Sequence, residues 1–172
     1  LDALAFGAGP GAFTGLRVAC GVAQGLAVGA GLPVVPVCGL EAMAASLGEF
    51  RVLSLLDARM GEVYAAAYER CGANLELRGE IRVGPPVTLD LPASGDWIAC
   101  GNALAAYPEL AERLRDAGFA LRPGVLPQAG AVAQLAAHRL AHGASIDPAQ
   151  AAPLYVRDKV ARTIRERLDA GG

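Results

Sequence analysis

Leu4-Ala5-Phe6-Gly7-Ala8-Gly9-Pro10-Gly11-Ala12-Phe13-Thr14-Gly15-Leu16-Arg17 joins a short apolar run to a long uncharged one through a glycine-rich turn, and its reading decides the fold. Leu4-Phe6 reads as a buried strand and Thr14 to about Val28 as a helix. Glycines at positions 7, 9 and 11 permit backbone angles and close approaches that side chains would block, and Thr14 is positioned to cap the first turn. Such a turn leaves free N–H groups at the helix start, suited to an anion or to another backbone. Outward from it, Val34-Val37 reads as a second strand and Leu40-Leu47 as a second helix. Strand, helix, strand, helix on short connections predicts parallel strands with covering helices.

Past Gly48-Glu49 the pattern changes, and a lobe boundary is expected there. Val52-Asp57 and Val63-Tyr68 flank a Gly61 turn as an antiparallel hairpin, with Glu80-Val83 as a third strand. Gly84-Gly95 is a proline-rich connection. Trp97-Cys100 reads as a buried strand, Ala105-Ala117 as a helix, Ala120-Arg122 as a strand and Ala129-His142 as a last helix. From Tyr155 the chain is charged, with Val156, Val160, Ile164 and Leu168 recurring every fourth residue, the pattern of an amphipathic docking helix.

Composition bounds the function. The 172 residues are 53% hydrophobic and 19% charged, enough to bury a core, and the net charge of −2 supplies no global field for nucleic acid. Any RNA contact must then be local or brought by a partner. The four cysteines lie 18, 33 and 29 positions apart, neither a zinc ribbon nor a disulfide framework, and read as reduced thiols of a cytoplasmic protein. Val18-Leu40 runs 23 residues without a charge, but Gly29, Gly31, Pro33 and Pro36 interrupt any membrane-spanning helix.

Several motifs have competing readings. The opening loop lacks the lysine of a Walker A loop, and no acid follows the second strand to hold a ribose, as a dinucleotide fold requires. A turn that serves packing alone remains open. Gly21, Gly25 and Gly29 fall four apart, so their bare backbones form one helix stripe, facing either another helix or the chain's own sheet, with Arg17 and Gln24 as polar contacts beside it. His138 and His142 have a zinc-compatible spacing but no catalytic glutamate between them; surface histidines at a helix C-terminus are the better reading. Asp57-Ala58-Arg59-Met60-Gly61-Glu62-Val63-Tyr64 is a charged tight turn, or the hairpin facing the cleft of a two-lobed nucleotide-binding fold.

Together these segments resemble the TsaB (YeaZ-type) subunits of the bacterial threonylcarbamoyladenosine machinery. Gly9-Arg17 is similar to their Gly-Pro-Gly-Ser-Phe-Thr-Gly-Leu/Val-Arg hallmark, with Ala12 for serine; Ala23-Ala27, Asp57-Tyr64 and Pro153-Arg157 match in order. The resemblance implies an α/β, actin-like, ribonuclease-H-like fold in two lobes. Residues 1–48 would be the remainder of a first lobe whose opening strands and phosphate motif precede Leu1, so that lobe is expected to be incomplete at its N-terminus; residues 49–172 would be the second lobe with its C-terminal docking segment. It implies a non-catalytic subunit that pairs with the catalytic paralogue TsaD, with the ATPase TsaE joining, in the modification of the adenosine beside the anticodon. No cofactor of its own is implied; ATP or ADP and metal belong to the partner subunits, and tRNA is met indirectly. Thr14, Arg17, Gly21, Gln24 and Gly25 are the expected partner face. Gly9, Pro10 and Gly11 are expected near a nucleotide at the subunit junction, and Asp57, Arg59, Gly61, Glu62 and Tyr64 form the hairpin motif. The competing functions are a homodimeric structural domain and a small actin-like kinase or metallopeptidase-like enzyme.

Overall fold

The computed structural model describes residues 1–72, 74–93 and 95–156. β1 (Leu4–Gly9) and β2 (Val34–Cys38) pair in parallel, and α1 (Phe13–Ala30) is the crossover between them. Alternation decides what covers each face of this sheet. Phe6, Ala8 and Val34 point to one side, where Cys20, Ala23 and Ala27 of α1 pack on them. Val35 and Val37 point to the other, against Ala42 of α2 (Gly39–Leu47) and Ala131, Val132 and Ala136 of α5 (Ala129–Ala141).

The larger sheet has the order β5-β4-β3-β6-β7, built from β3 (Arg51–Arg59), β4 (Glu62–Cys71), β5 (Asn74–Gly84), β6 (Ile98–Cys100) and β7 (Ala120–Arg122). The first three strands are an antiparallel meander; β6 and β7 add in parallel to β3. Leu53, Leu55, Val63 and Ala65 face α3 (Ala103–Ala106) and α4 (Pro108–Asp116), with Trp97 and Phe119 closing that core. Val52, Leu56, Ala66 and Tyr68 face Leu40, Met43 and Ala44 of α2. Helix α2 thus packs against both sheets, and the Ser54 hydroxyl, fully buried, donates to the Leu40 carbonyl at 2.8 Å to fix it there.

Three expectations change. Helix α5 and the segment after it return to the first sheet: Ile146 bridges Val34, and the Leu154 N–H donates to the Ala8 carbonyl at 2.7 Å. The division of the chain at residue 48 therefore does not separate the lobes in space beyond about α5, because the apolar α5 face finds β2 uncovered. The helix expected over Ala105-Ala117 is two helices broken at Tyr107, since the residue before a proline is pushed out of the helical region. Finally, β5 is longer than Glu80-Val83, running from Asn74. The amphipathic pattern from Val156 onward lies almost wholly outside the described residues.

Candidate functional site

The glycine loop, the start of α1, the β3–β4 hairpin and the segment Leu154-Val156 enclose a cleft of about 520 Å³. The loop is held from below: Gly9 has φ +116°, and a Cβ there would lie 2.9 Å from Leu16 Cδ1 and 3.1 Å from the Leu154 carbonyl oxygen. The chain's own Leu16 and Leu154 occupy the space that a side chain would take at Gly9, so a glycine there permits this close packing. Gly9, Pro10 and Gly11 all line the cleft. The α1 N-cap is Ala12, with no side-chain cap. Thr14 is already inside the first turn and does not perform the capping expected of it, because the helix begins one residue earlier, at Phe13.

The hairpin faces the cleft through Asp57, Arg59 and Tyr64. Asp57 Oδ1 accepts the Arg59 N–H at 2.8 Å and the Tyr107 hydroxyl at 3.0 Å, while Oδ2 lies 3.3 Å from the Arg59 guanidinium. Its own N–H donates to Asn102 Oδ1 at 3.0 Å. Burial, then the Asp57 carboxylate beside it, hold the Tyr107 phenol above its ordinary pKa, keeping it a donor. The carboxylate thus ties the hairpin turn to Tyr107 and so shapes the turn. That turn is unusual: Arg59, Met60 and Gly61 have φ of 61°, 57° and 75°, left-handed values that only the glycine adopts freely. Gly61 and Glu62 stand at its tip, and the Glu62 carbonyl also lies 3.2 Å from the Tyr107 hydroxyl. Among the described residues the lining includes no histidine, cysteine, serine, threonine or lysine.

Sequence reading did not find Asn102 or Tyr107, whose roles arise from contacts distant in the chain, nor the packing of Leu16 on Gly9. Pro153-Leu154-Tyr155 acquires a reason here: Tyr155 accepts from Arg17 Nε at 3.2 Å, and the Arg17 guanidinium lies 3.6 Å above the Phe13 ring.

The rest of α1 presents a second surface. Cys20, Ala23 and Ala27 are its buried residues, whereas Val18, Val22 and Leu26 are 60%, 56% and 59% exposed. A Cβ built on Gly21, Gly25 or Gly29 meets nothing within 4 Å. The glycine stripe therefore does not pack on the chain's own sheet; with the exposed valines and leucine it forms an apolar, shallow outer face. Gln24 is turned away from it, its amide donating to the Pro148 and Ala151 carbonyls at 3.0 and 3.2 Å. It anchors the returning segment, correcting its expected place on the outer face. By length and composition α1 is long and apolar enough to cross a membrane; as the crossover between two parallel strands it is bound to the sheet along one side.

Among the described residues no group of three or more His, Cys, Asp or Glu side chains is arranged to hold a metal. The His138 and His142 ring centroids lie 4.5 Å apart with the planes tilted by 35°, and His142 Nδ1 is 2.8 Å from the His138 carbonyl oxygen. All four cysteines are free.

Two sheets with shared helices and a cleft between them define an α/β protein of the actin-like, ribonuclease-H-like class. Residues 1–164 match the family model described as TsaD, tRNA N6-adenosine threonylcarbamoyltransferase. The chain is 38% identical over 171 residues to the tRNA threonylcarbamoyladenosine biosynthesis protein TsaB of Escherichia coli (strain K12), an alignment covering 94% of this chain and 73% of that protein. It is 34% identical over 174 residues to the protein of the same name from Haemophilus influenzae (strain ATCC 51907 / DSM 11121 / KW20 / Rd), covering 93% and 72%. A crystal structure from Pseudomonas aeruginosa, described as an uncharacterized protein with similarity to peptidase YEAZ, superposes with a TM-score of 0.81 at 37% identity, over 91% of this chain and 74% of that one. The chain belongs to this threonylcarbamoyladenosine family, among its TsaB (YeaZ-type) proteins.

Proposed function

We propose that this chain serves tRNA threonylcarbamoyladenosine biosynthesis as a non-catalytic subunit that docks through the outer face of α1 onto the catalytic paralogue TsaD. The observation that carries the proposal is the face itself: an 18-residue helix that buries one side and leaves Val18, Val22 and Leu26 open around bare glycines. A helix apolar on every side belongs in an interior, and a second helix can approach closely over glycine. The non-catalytic role is supported by the cleft, where Asp57 is engaged in holding the hairpin turn and, among the described residues, the lining includes no serine, threonine, cysteine, histidine or lysine. Adenylate chemistry, nucleotide and metal would then belong to the partner, with TsaE completing the assembly in the cytoplasm and tRNA reached through the complex. A twofold homodimer is the second reading, because the same apolar face is self-complementary.

Light scattering coupled to size exclusion distinguishes them. The chain mixed with TsaD is expected to give a heterodimer, and Gly25→Leu, which finds free space in the monomer, is expected to abolish it. A homodimer unaffected by TsaD would support the second reading, and a monomer in both experiments would remove both.

A further inference from the structure

We propose that the groove between α2, α5 and the β4–β5 hairpin is an oxyanion site, in which Arg70 receives a phosphate group. The proposal is independent of the α1 reading.

Four arginines among the described residues are half-buried: Arg51, Arg70, Arg113 and Arg139. Three have partners. Arg51 pairs with Glu69 at 3.0 Å, Arg113 donates to the Pro86 carbonyl at 2.8 Å, and Arg139 bonds both the Glu41 carboxylate and the Pro36 carbonyl. Arg70 has no hydrogen bond or ion pair from its guanidinium among the described residues, and its Nε is buried with nothing to accept from it. Its backbone N–H donates to the Phe50 carbonyl at 2.8 Å, so the strand fixes the residue at this place. A guanidinium stays protonated at any physiological pH, and a partly desolvated one without a counter-charge is costly.

The groove it lines measures about 430 Å³ and is shared by Glu41, Asn74, Gln134, His138 and Arg139. The Glu41 carboxylate is engaged by Arg139, so among the described residues of the groove Arg70 has no counter-charge of its own. Asn74 and Gln134, whose carboxamides are neutral hydrogen-bonding groups, line the same groove. A planar fork with donors from several sides suits a tetrahedral, multiply charged oxyanion. Helix α5 covers the face of the first sheet opposite α1, so occupation of the α1 face leaves this groove open.

The chemistry is shared by free phosphate compounds and by the phosphates of an RNA backbone. NMR of the ¹⁵N-labelled chain, following the Arg70 Nε–Hε signal, reads the site directly. Inorganic phosphate and a short single-stranded RNA are titrated separately, with sodium chloride matched for ionic strength. The expected result is a saturable shift of the Arg70 signal that chloride does not produce and that Arg70→Gln removes from the surrounding backbone signals. Gln134→Glu, on an exposed turn of α5, provides a second test should Arg70→Gln fail to fold: its carboxylate is expected to occupy the groove and abolish the response. Saturation by RNA at lower phosphate concentration than by the free ion identifies a nucleic-acid backbone as the source; saturation by inorganic phosphate alone identifies a small phosphate compound. No saturable shift with either ligand, or a response preserved in Gln134→Glu, overturns the proposal.

Discussion

Replacing Gly21 and Gly25 by alanine is expected to stabilise the isolated chain, although glycines in motifs are usually intolerant of change. Both lie inside α1, with ordinary helical backbone, and a Cβ at either position meets nothing within 4 Å. No steric term opposes the substitution, which leaves the helix-propensity gain of about 0.8–1 kcal/mol for each residue. The pair should therefore gain about 1.5–2 kcal/mol. For a chain of this size each kcal/mol moves the melting midpoint by about 2–4 °C, so a rise of about 3–8 °C is expected. Differential scanning calorimetry of the double variant against the parent, at a concentration where both are monomeric, measures it. If the glycines were required by packing within the monomer, added methyls would crowd that packing and lower the midpoint. A midpoint below the parent's would refute the reasoning that the stripe faces outward.

Three further predictions follow from the interior. Gly101 has φ +118° and a Cβ there would sit 1.9 Å from the Leu55 carbonyl oxygen, so Gly101→Ala should lose about 3–5 kcal/mol of backbone and overpacking energy in urea unfolding. Burial pushes the Cys100 thiol from 9.0 up to about 11. The folded state therefore keeps its proton longer than the unfolded one: this contribution is complete below pH 9, and about 3 kcal/mol is lost as pH rises toward 11. Cys100→Ala should flatten that part of the stability profile. Tyr107→Phe removes one donor from Asp57 and should cost about 1 kcal/mol, visible as faster amide exchange at Arg59 and Gly61.

Much of the first sheet was legible because its signals are local. An apolar strand, a glycine turn and a charge-free helix occupy one continuous stretch, and the hairpin around Gly61 is equally self-contained. The return of α5 to β2 was not, since alternation on a strand tells which faces are apolar but not which later helix covers them. Other signals were present and outweighed. Pro108 marks the break at Tyr107, but the apolar periodicity runs through it. Gln24 falls four residues after Cys20 and three before Ala27, two of the three buried positions of α1, so helical geometry alone puts it with them rather than with Gly25. The supports of Asp57 carried no local signal: Asn102 lies 45 residues away and Tyr107 lies 50 away.

The central claim is that the outer face of α1 joins this chain to TsaD, and reconstituted tRNA threonylcarbamoylation tests it most directly. TsaD and TsaE would be held constant while wild-type chain or Gly25→Leu is titrated in, with the melting midpoint of each recorded. The wild-type chain is expected to restore modification and Gly25→Leu, folded and at least as stable, is expected not to. Full restoration by Gly25→Leu at the same concentration would contradict it.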